Sequence, residues 1–184
     1  MNFKNGDKLI KSLEERPSKS WLKKVSECED EKILKYILKD TEKLQIYNNE
    51  NELKLLWECC QIPDFVKKTY GNHLEVVGKV FNFLRESPGK ITNKYMKQQL
   101  SLLDKLDGNV DSVSNRIANV RTWSYVANKN GWVESQDYWV EGTKFLEDKL
   151  SDRLHEELTK SFIDKRASVL AKGLKQDIIF ETKI

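Results

Sequence analysis

The stretch from Arg116 to Trp132, RIANVRTWSYVANKNGW, packs two arginines, two tryptophans and a tyrosine into a segment that otherwise reads as a helix and its stop. An exposed arginine beside an aromatic ring can hold a phosphate while the ring stacks a base, which is the chemistry of single-stranded nucleic acid. Turned at about 100° per residue, Arg116 falls inside the apolar arc of Val113, Ile117, Val120, Trp123 and Ala127 and is its only charge. Arg121 and Tyr125 fall outside that arc. A half-buried guanidinium cannot shed its charge, so it needs a carboxylate or several carbonyls. Glu147 and Glu157, at the edge of a leucine stripe further along the chain, are its expected partners. Arg116, Glu147 and Glu157 are therefore read as structural buried charges, and Arg121 and Tyr125 as the pair that could face nucleic acid.

Lys90, Lys94 and Lys97 recur at i, i+4 and i+7, with Lys67 and Lys68 in an earlier turn. They could track a phosphate backbone. The same spacing also describes a plain solvated helix face.

Other patterns resemble catalytic motifs only in part. PGKIT at 88–92 lacks the second glycine and the Gly-Lys-Ser/Thr run that surrounds phosphate and magnesium in a phosphate loop, and no buried strand precedes it. HEEL, beginning at His155, lacks the second histidine of a helical zinc site. Cys28, Cys59 and Cys60 have neither zinc-ligand nor disulfide-framework spacing and read as buried free thiols. No GxSxG elbow is present, and nothing links either histidine to a cysteine. No catalytic residue, metal or cofactor site is expected in this chain.

The elements that must position these residues are helical. Gly and Pro number only 8 and 3, alternation is scarce, and apolar residues recur at three and four. The expectation is an all-α, multi-helix bundle with a long C-terminal helix and a short strand-like tail. Asn49, Asn72, Thr92, Asp111 and Ser135 precede periodic stretches and read as N-caps. They predict helices over 50–61, 73–86, 93–106, 112–128 and 136–171, with shorter ones in 7–42. Helix 73–86 is apolar nearly all round and should be central. Leu146, Leu150, Leu154, Leu158 and Phe162 are spaced by four, so their stripe should drift across more than one neighbour. Residues 1–48 read as an N-terminal helical arm, 49–175 as the main domain and 176–184 as a truncated tail.

Composition narrows the class. Apolar residues at 39% and charged residues at 33% exclude both a disordered chain and a membrane-embedded one. No run approaches the roughly 18 apolar residues of a spanning helix, and the N-terminus lacks the apolar stretch of a secretory signal. An intracellular protein is expected. Net charge is only +3, but the excess is local: residues 53–135 carry twelve basic against eight acidic groups, while 1–52 balance.

Three blocks, LWECCQIPDF (56–65), LDGNVDSVSNRIANVRTWSYVANKNGW (106–132) and LEDKLSDRLHEELTKSFIDKR (146–166), resemble the region that follows the motor in mitochondrial degradosome RNA helicases and their bacterial relatives, ATP-dependent DExH-type enzymes. The resemblance covers roughly residues 50–175 in uninterrupted order. It implies a C-terminal accessory module that packs on two RecA-like motor domains and helps guide single-stranded RNA. An exoribonuclease is a possible further partner. ATP and Mg would belong to the motor domains, whose motifs have no match here, so no family catalytic residue carries over. The implied location is a bacterial cytoplasm or the mitochondrial matrix. A helical adaptor that docks a nuclease or another protein without touching RNA is the alternative.

Overall fold

The computed structural model describes residues 1–15, 18, 19, 21–23, 26–39, 46, 48–67 and 70–181, with the backbone alone for Tyr70 and for 173–181. Seven helices are present among these residues: α1 (Gly6–Glu14), α2 (Glu29–Leu38), α3 (Glu50–Cys60), α4 (Tyr70–Arg85), α5 (Asn93–Leu103), α6 (Val110–Asn128) and α7 (Gln136–Glu181). The only β pairing among them is one parallel bridge between Ile91 and Val133. The all-α bundle with a long final helix is thus the architecture observed.

Side-chain oxygens set several helix starts, because the first amides of a helix have no partner within it. Asn49 accepts from the amides of Asn51 and Glu52, and Thr92 accepts from that of Tyr95. At α6 the cap is Asn109, which accepts from Ser112, so this helix starts two residues before Asp111 would have it. Asn72 caps nothing, since α4 already runs from Tyr70. The DGN turn before α6 uses Gly108 at φ +103°, where a Cβ would meet that of Ser112 at 2.9 Å. Only glycine adopts that backbone without strain.

One buried cluster runs through the described helices. α1 and α2, expected as a peripheral arm, put Leu9, Ile33, Leu34 and Ile37 into it. Lys35 reinforces that join, with its Nζ 2.6 Å from Glu14, 2.7 Å from Glu27 and 2.9 Å from Glu31. These three carboxylates hold its ammonium well above the usual lysine range.

The central helix is α6, not α4. On α4, His73, Val77, Val80 and Phe81 are buried, while Val76, Phe83 and Leu84 are partly exposed. On α6 the arc read from the sequence is buried, and so are Thr122 and Val126 on its other side. The Thr122 hydroxyl donates to the carbonyl of Pro63 at 3.1 Å, tying α6 to the turn after α3. Tyr95 of α5 meets Trp123 edge-on at 5.8 Å between ring centroids.

Two further expectations are corrected. The tail is helical where described: α7 continues through Glu181, because Ile178, Ile179 and Phe180 extend an already nucleated helix at low cost per residue, and 182–184 lie outside the described residues. Cys28 is exposed and sits at the N-cap of α2, whereas Cys59 and Cys60 are fully buried.

Candidate nucleic-acid interface

Lys94 and Lys97 lie on α5 and Lys90 three residues before it, while Lys68 lies outside the described residues. The first turn of α5 is tied to the start of α7 by side chains at both ends. The Ile91 amide donates to the Trp132 carbonyl at 2.8 Å, and the Glu134 amide donates to the Ile91 carbonyl at 3.1 Å. Glu134 Oε2 accepts from the Asn93 amide at 2.7 Å, and the buried Trp139 donates its indole N–H to Asn93 Oδ1 at 2.7 Å. The N-terminus of α5 therefore already has its acceptors in Thr92 and Glu134. A phosphate near this end has to be held by side-chain ammonium groups rather than by helix amides.

Those groups are in place. Lys90, Lys94 and Lys97 are all exposed, and none makes an ion pair or side-chain hydrogen bond among the described residues. Lys97 lines a groove of about 240 Å³ between α5 and α7, together with Leu100, Tyr138, Trp139 and Phe145. Tyr138 and Phe145 are 66% and 70% exposed, unusual for large aromatic rings. Tyr138 is held edge-on against Trp139 at 4.8 Å between centroids. Lys97 beside these open rings supplies both things a single strand needs, a partner for phosphate and a platform for bases. Tyr138 and Phe145 escaped the sequence reading because they sit on the helix that the leucine stripe had marked as core. Their alternation with that stripe, at 138 and 145, is a seven-residue repeat that could have singled them out.

The α6 pair is disposed differently. Arg121 is spoken for: its Nε lies 2.7 Å from Glu147 Oε1. Tyr125 is partly buried against the core, with the Lys129 ammonium 5.1 Å from its ring centroid. Lys129 also stands 5.7 Å from the Trp132 ring. The aromatic face at Tyr125 thus already holds a cation.

The buried-charge assignment also needs correction. Arg116 has only 18% of its side chain exposed, as its helical phase requires, but neither Glu147 nor Glu157 is its partner. Its Nη1 donates to the carbonyl of Lys105 at 2.9 Å and to that of Asp107, and its Nη2 lies 3.2 Å from Asp107 Oδ1. The guanidinium therefore closes the turn between α5 and α6. Glu147 serves Arg121, and Glu157 lies 2.6 Å from Arg153 Nη2, one turn back on the same helix. Local pairs at i, i+4 form with little chain ordering, which is why Glu157 finds Arg153 first.

Burial pushes the Cys59 thiol up to about 12 and raises that of Cys60 further, so both stay protonated and are poor nucleophiles. No group of three or more His, Cys, Asp or Glu side chains that could hold a metal occurs among the described residues. No described helix is long and apolar enough to cross a membrane. No family model, no curated protein and no solved structure matches this chain.

Proposed function

We propose that this chain is a non-catalytic accessory module of an ATP-dependent RNA helicase, and that it guides single-stranded RNA along the edge formed by α5 and the start of α7. The observation that supports the RNA contact is Lys97 sharing one groove with the open rings of Tyr138 and Phe145, with Lys90 and Lys94 exposed and without an ion pair among the described residues. The helicase part rests on the three sequence blocks, which fall on the end of α3, on α6 with its flanking turns, and on the middle of α7. In this reading two RecA-like motor domains are the packing partners and supply ATP and Mg, and the chain works in a bacterial cytoplasm or the mitochondrial matrix.

The test is a fluorescence-anisotropy titration with single-stranded RNA at low and moderate salt. Affinity should fall steeply with salt, because each neutralised phosphate releases counterions. Replacing Lys90, Lys94 and Lys97 together by Gln should flatten the logarithmic salt slope by about two units, at roughly 0.7 per contact on a single strand. Tyr138→Ala with Phe145→Ala should weaken binding with little change in slope. Absence of binding at low salt sinks the RNA reading.

A second reading, a docking module for a nuclease or another protein, is favoured by one feature. Beyond Leu154, α7 exposes Leu158, Phe162, Ile163, Val169 and Leu170, at 49% to 70% each. An apolar docking face would bind with little salt dependence. The same titration therefore separates the two.

A further inference from the structure

The groove between α5 and α7 is built from two matched helix faces. On α5, Lys97, Ser101 and Asp104 follow at i, i+4 and i+7, and on α7 Tyr138, Gly142 and Phe145 repeat that spacing, so each trio lines one face. The α5 face is polar, and the α7 face is aromatic with a gap at its middle. Leu100 at 7% exposure and Trp139 and Leu146 at 6% close the floor.

Nothing in the fold requires the gap. A Cβ at Gly142 would meet nothing within 4 Å, and glycine inside a helix weakens it relative to alanine. What the position provides is room, with an open ring one turn to either side. At about 240 Å³ the groove falls below the roughly 300 Å³ at which pockets for whole small molecules begin, so it suits a single flat ring system.

The polar face shows what that ring must carry. The Ser101 hydroxyl donates to the Gln98 carbonyl at 2.9 Å, so its oxygen is left to accept. Asp104 Oδ1 lies 2.6 Å from Lys149 Nζ, and its other oxygen has no partner among the described residues. Both residues stand at the C-terminal end of α5, where the helix dipole also favours donors. The Trp139 indole N–H, a donor the lining could have offered, is spent on Asn93. Lys97, two turns before Asp104, has no counter-ion among the described residues. The complement is anionic at one end, flat in the middle and a hydrogen-bond donor at the other.

We propose that the groove is a slot for one unpaired nucleobase that carries an exocyclic amino group. The base enters between Tyr138 and Phe145 over Gly142, its amino group donates to Ser101 and Asp104, and its phosphate lies at Lys97. Lys97 and Asp104 are about 10 Å apart along the α5 axis, the scale of one nucleotide from phosphate to base edge. Uracil presents a carbonyl where cytosine presents its amine, and leaves both acceptors unanswered. The slot rests on the RNA-contact reading above and adds a choice of base to it.

Short oligocytidylate and oligouridylate differ on that base edge and match in length and charge. The full chain is titrated with each labelled strand by fluorescence anisotropy at low and moderate salt. The C strand should bind about fivefold more tightly than the U strand, the worth of one net hydrogen bond. Asp104→Ala should bring that ratio close to one, and Ser101→Ala should reduce it. Gly142→Leu should weaken binding of the C strand about tenfold, the worth of one stacked base, and keep the steep salt slope because the lysines remain. Leucine favours a helix more than glycine does and its Cβ has space, so this variant keeps its fold. Equal affinity for the two strands, with a steep salt slope, overturns the slot and leaves the RNA reading standing. Binding of neither strand overturns both. If Gly142→Leu binds the C strand as the parent does, the slot is overturned as well, and a protein side chain is the better occupant of the groove.

Discussion

The two halves of α7 carry the same leucine spacing and meet opposite fates. Leu146 and Leu150 are 6% and 0% exposed against the bundle, while Leu158 and Phe162, two and three steps beyond Leu150 along the stripe, are 49% and 61% exposed. Thr143, in the first half, is fully buried and returns its hydroxyl proton to the carbonyls of Trp139 and Val140. In the second half, from His155 to Lys172, no side chain is buried. A periodic apolar stripe shows that a helix has a face to hide, not that the chain contains the surface that hides it. The bundle ends where α6 starts, at Val110, and the stripe runs on past it.

The largest expected effect breaks that comparison directly. Leu150→Ala should cost about 2 to 5 kcal/mol by urea denaturation, since it removes a fully buried side chain and leaves a cavity. Leu158→Ala should stay within about 0.5 kcal/mol, as exposed substitutions do. Similar losses at both positions would mean that the far half of α7 packs on something in solution.

The two arginines of α6 give the same contrast at smaller scale. Arg116→Ala leaves the carbonyls of Lys105 and Asp107 without their donor, and a loss of about 1 to 3 kcal/mol is expected. Arg121→Ala removes an ion pair whose arginine is 53% exposed, worth about 0 to 1 kcal/mol in solvent. Equal melting midpoints for the two variants would remove Arg116 from the framework of the α5–α6 turn.

These contrasts show where the sequence was legible. Helix periodicity placed Arg116 on the core face and Arg121 off it, because local geometry alone sets the phase of a side chain around its helix. It did not reveal their partners, because pairing depends on how helices cross and on where turns close. Arg116 is satisfied by backbone carbonyls of the turn it faces, which no side-chain pattern announces. The caps at Asn49 and Thr92 were readable for the same local reason, whereas Asn109 was passed over for Asp111, two residues on. Lys90, Lys94 and Lys97 are visible in the sequence as a run. The rings of Tyr138 and Phe145 join Lys97 in one groove only because α7 lies across α5.

A smaller effect concerns Asp30, in the first turn of α2. A carboxyl whose folded value is raised favours the folded state most when protonated, and that contribution fades as pH rises through the folded value. Asp30→Asn removes the cost of a partly buried charge, so the variant should be at least as stable as the parent near neutral pH. Its advantage should vanish below the usual carboxylate range, around pH 4. Thermal midpoints on both sides of that range decide it, and a variant less stable at neutral pH would show that the Asp30 charge already has a strong partner in the free chain.

The smallest expected effect is none at all. Phe162→Ser and Val169→Ser together should leave the unfolding free energy within about 0.5 kcal/mol of the parent, because both rings and branches stand in solvent. Amide exchange should agree: protection from Leu158 to Lys172 should reflect local fraying, while that from Trp139 to Leu150 should approach global unfolding. If instead the far half is protected in proportion to protein concentration, and the double substitution abolishes that protection, the stripe is covered by a second copy. The apolar face would then be satisfied within a homodimer rather than by a motor domain or a nuclease.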